Sequence, residues 1–160
     1  MPDNASFVAE GGCTCRAVRY RLTRRPMIVH CCHCHWCQRE TGSAFATNAM
    51  IESSEVKLLS GTLEYVPTPS ASGKGQSIAR CPVCRIALWS HYAGLGAAVS
   101  FVRVGTLDEA GRLPPDVHIF TDSKQPWVVL PAGARVFGEY YKSGEVWSPE
   151  SLARRAALRS

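Results

Sequence analysis

Eight cysteines carry most of the chemistry in this 160-residue chain, and they are grouped. Cys13 and Cys15 form a C-x-C. Cys32, Cys34 and Cys37 form a C-x-C-x-x-C, with Cys31 directly ahead. Cys81 and Cys84 bracket a CPVC knuckle. A C-x-x-C turn presents both sulfurs to one ion. A C-x-C on extended chain puts both side chains on one face, because residues i and i+2 point the same way. The two pairs, Cys13/Cys15 and Cys81/Cys84, then make one closed site of four thiolates that ties the N-terminal segment to the middle of the chain. The triplet Cys32, Cys34 and Cys37 is one ligand short. Three protein ligands and an open position are the pattern of catalytic zinc.

Other partitions stay open. Cys31 or a histidine completing the triplet would make both sites structural. Cys34 and Cys37 pairing with Cys81 and Cys84 as a zinc ribbon would orphan the C-x-C. The cysteines could also be plain core residues. Neighbours on an extended segment point apart, so Cys31 is expected off the face that carries Cys32. The same alternation takes His33 off the face of Cys32 and Cys34. His30, His33 and His35 are expected to pack or to support ligands rather than to ligate. His91 and His118 are isolated and read as partly buried, satisfied histidines.

Three thiolates on Zn²⁺ leave a formal charge of −1, which damps Lewis acidity and suits a soft fourth ligand, another thiolate. A free thiol, with a pKa of about 8.5, is mostly protonated at neutral pH. Coordination removes that proton. The fitting chemistry is capture of a small-molecule thiol, positioned to attack an electrophile. Glutathione is a net anion and agrees with a formal net charge of +5. After the triplet, RETGSAF (39–45) is expected to line the thiol pocket. Gly42 would let backbone approach, Thr41 and Ser43 offer hydroxyls, and Arg39 could pair with a carboxylate. The competing reading makes Arg39 and Glu40 a solvated helix face.

The elements that must position these groups read mostly as strands. Segments 7–10, 17–22, 45–51, 56–59, 63–66, 86–89, 97–104, 117–120, 127–130 and 135–141 are strand-like, with Gly and Pro in most gaps. Such spacing predicts an all-β fold of small antiparallel sheets in a single domain, residues 1–160. HWCQRET (35–41), ended by Gly42, predicts one or two helical turns. Ser148-Pro149-Glu150 is an N-cap, a Pro at the first helical position and an acidic residue, so a short C-terminal helix runs through Leu158 as a surface element or frayed tail, with a nucleic-acid arm as the outside alternative. PTPSASGKGQS (67–77) reads as a surface loop, or as a substrate lid carrying Lys74.

Three stretches, GGCTCRAVRY (11–20), CHCHWCQRETGSAF (32–45) and CPVCRIALW (81–89), resemble the glutathione-dependent formaldehyde-activating enzyme family. VGTLDE (104–109) and PPDVHIFTDSKQPW (114–127) look like its C-terminal half, so the resemblance spans about residues 7–140. It implies a β-tent fold and two zinc ions per chain: one structural, on Cys13, Cys15, Cys81 and Cys84, and one catalytic, on Cys32, Cys34 and Cys37. It implies a carbon–sulfur lyase that condenses formaldehyde with glutathione to S-hydroxymethylglutathione. Within the matching segment, His118 and Trp127 are further substrate-side candidates, and His118 could relay a proton. The family usually carries Gly where this chain has Arg16 and Arg85, which bears on the turn geometry there. A related domain in centromere protein V keeps a second reading open, a zinc-stabilised binding module without catalysis. A third is a formaldehyde or metal sensor that uses Cys31 as a reactive thiol.

Composition limits the remaining classes. Hydrophobic residues make up 46% and charged residues 19%, an ordinary globular balance. No apolar run approaches the ~20 residues of a membrane span, so no membrane partner is expected. The polar first residues, without an apolar h-region, read as no secretory signal. The expected location is cytoplasmic, where thiols stay reduced.

Overall fold

The computed structural model describes residues 6–159. Among these described residues, ten strands form two sheets. The smaller joins β1 (Ala9–Gly12), β2 (Arg19–Leu22) and β5 (Val56–Ser60) in the order β1-β2-β5. The larger joins β3 (Ile28–Cys32), β4 (Ala46–Glu52), β6 (Glu64–Thr68), β7 (Gln76–Arg80), β8 (Ala87–Tyr92), β9 (Val99–Arg103) and β10 (Val117–Ile119) in the order β10-β3-β4-β9-β8-β7-β6. The all-β class is as expected, with one departure from antiparallel pairing. β10 runs parallel to β3, with Val117, His118 and Ile119 opposite His30, Cys31 and Cys32.

Two cores follow from this layout. One lies between the sheets and is built on Tyr20, Leu22, Ile51, Leu88 and Val102, all at 0% exposure. Tyr20 meets Trp89 edge to face at 5.4 Å, and its hydroxyl bonds Thr106 Oγ1 at 2.7 Å. The other packs Ile28, Met50, Val117 and Ile119 against Tyr141 and Trp147 of the C-terminal segment. Gly11 is required by close approach, since a Cβ there would lie 2.4 Å from the Thr106 carbonyl oxygen.

Three segments differ from the sequence expectation. Residues 127–130 form no strand, and of 135–141 only Val136 forms an isolated bridge, to His118. The loop expected over 67–77 is shorter, because β6 runs to Thr68 and β7 begins at Gln76. The C-terminal helix α3 (Pro149–Ala157), which follows the single turn α2 (Ser143–Val146), is docked rather than frayed. Its Arg154 is 8% exposed and makes a two-pronged ion pair with Glu52 of β4, at 2.7 and 2.6 Å. Ser151 Oγ donates to the Met27 carbonyl at 2.7 Å. Arg155 lies over the Trp147 ring and bonds Ser143 Oγ.

Candidate functional site

Cys13 and Cys15 follow β1, and Cys81 and Cys84 turn the chain between β7 and β8. The four sulfurs lie within 4.8 Å of one another. Cys13 to Cys15 is 3.5 Å and Cys15 to Cys81 is 3.7 Å. Sulfurs at about 2.3 Å from a tetrahedral zinc stand about 3.8 Å apart, so the donor set and its spacing fit a closed four-sulfur metal site. The Val18 amide donates to Cys13 Sγ at 3.3 Å. Backbone amides near Cys84, those of Cys15 and Ile86 first, hold its thiol down to about 6. Arg16 and Arg85 each follow a cysteine of this set, and both take φ 65°. The left-handed turn that glycine would supply is therefore kept, with the steric cost borne by arginine.

Cys32, Cys34 and Cys37 also bring their sulfurs within 4.8 Å of one another, and all three are buried. Cys32 ends β3, and α1 (His35–Thr41) supplies Cys37. Cys34 caps that helix, its Sγ accepting from the Cys37 amide at 3.4 Å, and Gly42 closes it at φ 63°. The three thiols shift one another's ionisation. The Cys32 and Cys37 thiols bonded to Cys34 pull it down to about 2. Those bonds and burial push Cys32 up. Cys37 is drawn down by its bond to Cys32, but the bond to Cys34 and burial carry it up to about 12. Three buried sulfurs converging on one point are the donor set of a three-cysteine metal site.

Cys31 does not join the triplet. It groups with His33 and His118. His33 and His118 both lie below the ordinary histidine range because they are buried, His33 down to about 4.

The triplet lines a cavity of about 220 Å³. Its walls are aromatic: Trp36, Tyr92, Phe101, Phe120 and Tyr140, beside His30. Phe120 holds φ 54°, a strained value for a bulky side chain. Trp147 Nε1 donates to the Tyr141 hydroxyl at 2.8 Å, and that hydroxyl bonds His30 Nε2. The cavity's polar members are Glu40, Asn48, Ser70, Ser72, Gln76 and Arg103, and Glu40 pairs with Arg80 rather than with Arg103. Arg103, 7% exposed, donates to Asn48 Oδ1 at 2.5 Å across the β4–β9 register. Its Nε has no hydrogen-bond partner, and no carboxylate pairs with it among the described residues. A wider groove of about 950 Å³ adjoins, sharing Trp36, Ser70, Gln76 and Tyr92, and Lys74 lines it.

The substrate-side residues expected from sequence do not converge here. Thr41 lines a separate recess and donates to the Cys37 carbonyl at 2.8 Å. Arg39 and Ser43 are absent from the cavity wall. His118 sits with Cys31 and His33, and Trp127 is 72% exposed. The residues that do line the cavity left a weak trace in sequence. Asn48 and Arg103 are polar residues inside apolar strand patterns, ATNAMIE and VSFVR.

No helix is long and apolar enough to cross a membrane among the described residues. No curated protein matches the chain by sequence. A crystal structure of a Rhodobacter sphaeroides protein superimposes with a TM-score of 0.45 at 18% identity, covering 62% of this chain and 88% of that one. A family model described as glutathione-dependent formaldehyde-activating enzyme matches residues 8–123 and stops short of Trp127. With more than two thirds of its length inside that match, the chain belongs to the glutathione-dependent formaldehyde-activating enzyme family.

Proposed function

We propose that the protein joins a glutathione-type thiol to a small aldehyde, the synthetic direction of a carbon–sulfur lyase. The observation that carries this reading is a buried guanidinium, Arg103, without a carboxylate partner, in the same aromatic-walled cavity as a three-cysteine cluster. Residues Cys13, Cys15, Cys81 and Cys84 would hold a structural zinc, and Cys32, Cys34 and Cys37 a second. Bound at the triplet, zinc supplies a soft open position that favours the thiolate form of a substrate thiol.

The chain's own residues do the rest. A cavity of about 220 Å³ is small against the usual ligand pocket of roughly 300–1,000 Å³. It suits the reacting end of the thiol together with a small aldehyde, leaving the peptide arms for the wider groove. The aromatic walls exclude water from the reacting atoms. Arg103 presents charge to an anionic oxygen in the cavity, and Lys74 offers a second cation to a carboxylate in the groove. In the reaction the sulfur lone pair forms the carbon–sulfur bond, and the carbonyl π pair moves to oxygen. That oxygen then takes up the proton released from the thiol, which balances the step. All eight cysteines are free thiols, as a cytoplasmic setting would keep them.

Cobalt-substituted full-length protein tests this reading. Glutathione should shift the sulfur-to-metal absorption band, and its S-methyl ether should not. Formation of the hydroxymethyl thioether from formaldehyde, followed by NMR, should exceed the uncatalysed rate. No spectral change at saturating thiol and no acceleration would leave the binding module without catalysis as the reading.

A further inference from the structure

The function proposed above makes no use of a second cluster on the same strand. We propose that Cys31, His33 and His118 form a third metal site, for a divalent cation of zinc-like preference, on the face of β3 opposite the cysteine triplet. The inference stands on backbone register and donor geometry and does not depend on the thiol chemistry.

Strand alternation sends Cys31 and His33 to one face and Cys32 and Cys34 to the other. The parallel ladder places His118 directly opposite Cys31, so the two side chains stand next to each other on that face. The His33 amide donates to the Ile119 carbonyl at 3.0 Å, which carries the β3–β10 pairing one residue past Cys32 and fixes His33 as well. His33 Nε2 lies 3.6 Å from Cys31 Sγ and 3.1 Å from His118 Nδ1. All three donor atoms fall within 4.8 Å of one another. With metal–sulfur near 2.3 Å and metal–nitrogen near 2.0–2.1 Å, tetrahedral donors stand about 3.6 Å apart for sulfur–nitrogen and about 3.3 Å for nitrogen–nitrogen. The two separations, 3.6 and 3.1 Å, are close to these.

Hydrogen bonding within the cluster accounts poorly for its burial. Cys31, His33 and His118 are 1%, 0% and 9% exposed. His33 Nε2 is the one atom that faces both Cys31 Sγ and His118 Nδ1, while its Nδ1 turns away from the cluster and has no partner. Among the described residues no carboxylate joins the group, so the chain supplies one sulfur and two nitrogens. One thiolate and two neutral imidazoles leave a divalent ion at +1, against −1 for a three-thiolate site. The two faces of one strand thus offer unlike donor sets, a sulfur-rich one and a mixed nitrogen–sulfur one. An ion here would staple the short parallel strand β10 to β3 directly behind the triplet.

Reduced, metal-free full chain reloaded with zinc and weighed by native mass spectrometry tests the site. Cys31→Ala and His118→Ala should each bind one ion fewer than the wild type. Cys31→Ala combined with Cys34→Ala should bind fewer than either alone. Equal zinc content in wild type, Cys31→Ala and His118→Ala overturns the site. If the variants do not fold, cadmium-113 loaded wild type with nitrogen-15 labelled histidine answers the question. Metal coupling to ring nitrogens of His33 and His118 supports the site. Cadmium saturation without such coupling overturns it, whatever glutathione does at the triplet.

Discussion

Cys31 and Cys32 are chain neighbours, yet their sulfurs belong to separate clusters, one with His33 and His118, the other with Cys34 and Cys37. The peptide between them crosses the sheet from one face to the other. Both residues are buried, because β3 is covered on both sides. A single strand therefore serves the aromatic-walled cavity on one face and the His–Cys cluster on the other.

The two cysteine sets should differ in what they hold together. Cys81→Ala opens the site that joins β1 to the β7–β8 turn, and metal at such a site is folding energy. That variant is expected to unfold or to lose most of its stability. Cys34→Ala should keep the fold, give up one ion and lose about 1 kcal/mol with the helix cap. Metal content and circular dichroism melts of the two variants are the measurement. Equal melts would assign equal structural roles to both sets.

Arg16 and Arg85 should be improvable positions. Each holds φ 65°, where an L side chain costs roughly 1–2 kcal/mol and glycine does not. The flexibility of glycine in the unfolded chain takes back about 0.4–1 kcal/mol. Arg16→Gly is expected to gain about 0.5–1 kcal/mol in metal-loaded protein by chemical denaturation. Arg85→Gly should gain less, because Arg85 also pairs with Glu64.

Arg103 should govern affinity for an anionic thiol. Arg103→Gln keeps a donor for Asn48 and removes the charge. Loss of a charge-assisted bond of about 1.5–3 kcal/mol corresponds to a Kd for glutathione raised roughly tenfold to a hundredfold. Calorimetry on the zinc-loaded protein measures it. Arg39→Ala, outside the cavity wall, is the matched control and should leave Kd unchanged.

The Glu52–Arg154 pair should give α3 a pH-dependent anchor. Burial opposes ionisation of Glu52, but the Arg154 hydrogen bonds outweigh it and hold the carboxyl below its usual value. A depressed carboxylate pKa adds stability that is whole above the unfolded value of about 4.3. It is lost as pH falls through the folded value. Glu52→Gln leaves the Arg154 charge buried and unpaired, at about 3–5 kcal/mol near neutral pH. The gap should start to narrow as pH falls below about 4.3 and close only below the depressed folded value of Glu52. A gap that persists in acid would assign the effect to packing instead.

Spacing along the chain made the metal-ligand candidates legible. A C-x-C or C-x-x-C is a local geometric statement, and local geometry survives into the fold. The same holds for α1, whose cap Cys34 and stop Gly42 are adjacent in sequence to what they bound, and for the Ser148-Pro149 start of α3. β3 left no period-two trace, because all five of its residues are buried and both faces are covered. Segments 127–130 and 135–141 have strand-like composition, but the first joins no ladder and the second reaches β10 and the turn after it through backbone bonds and a single bridge, since pairing is a tertiary event. Only the three-dimensional arrangement decided the cavity. Its wall takes His30 from β3, Trp36 from α1, Asn48 from β4, Tyr92 from β8 and Arg103 from β9, positions far apart in sequence. Strand order in the larger sheet sets Arg103 opposite Asn48, and the parallel return of β10 sets His118 beside Cys31. Neither neighbour can be read from the chain, because sheet order is fixed by which apolar faces bury each other rather than by spacing along the backbone.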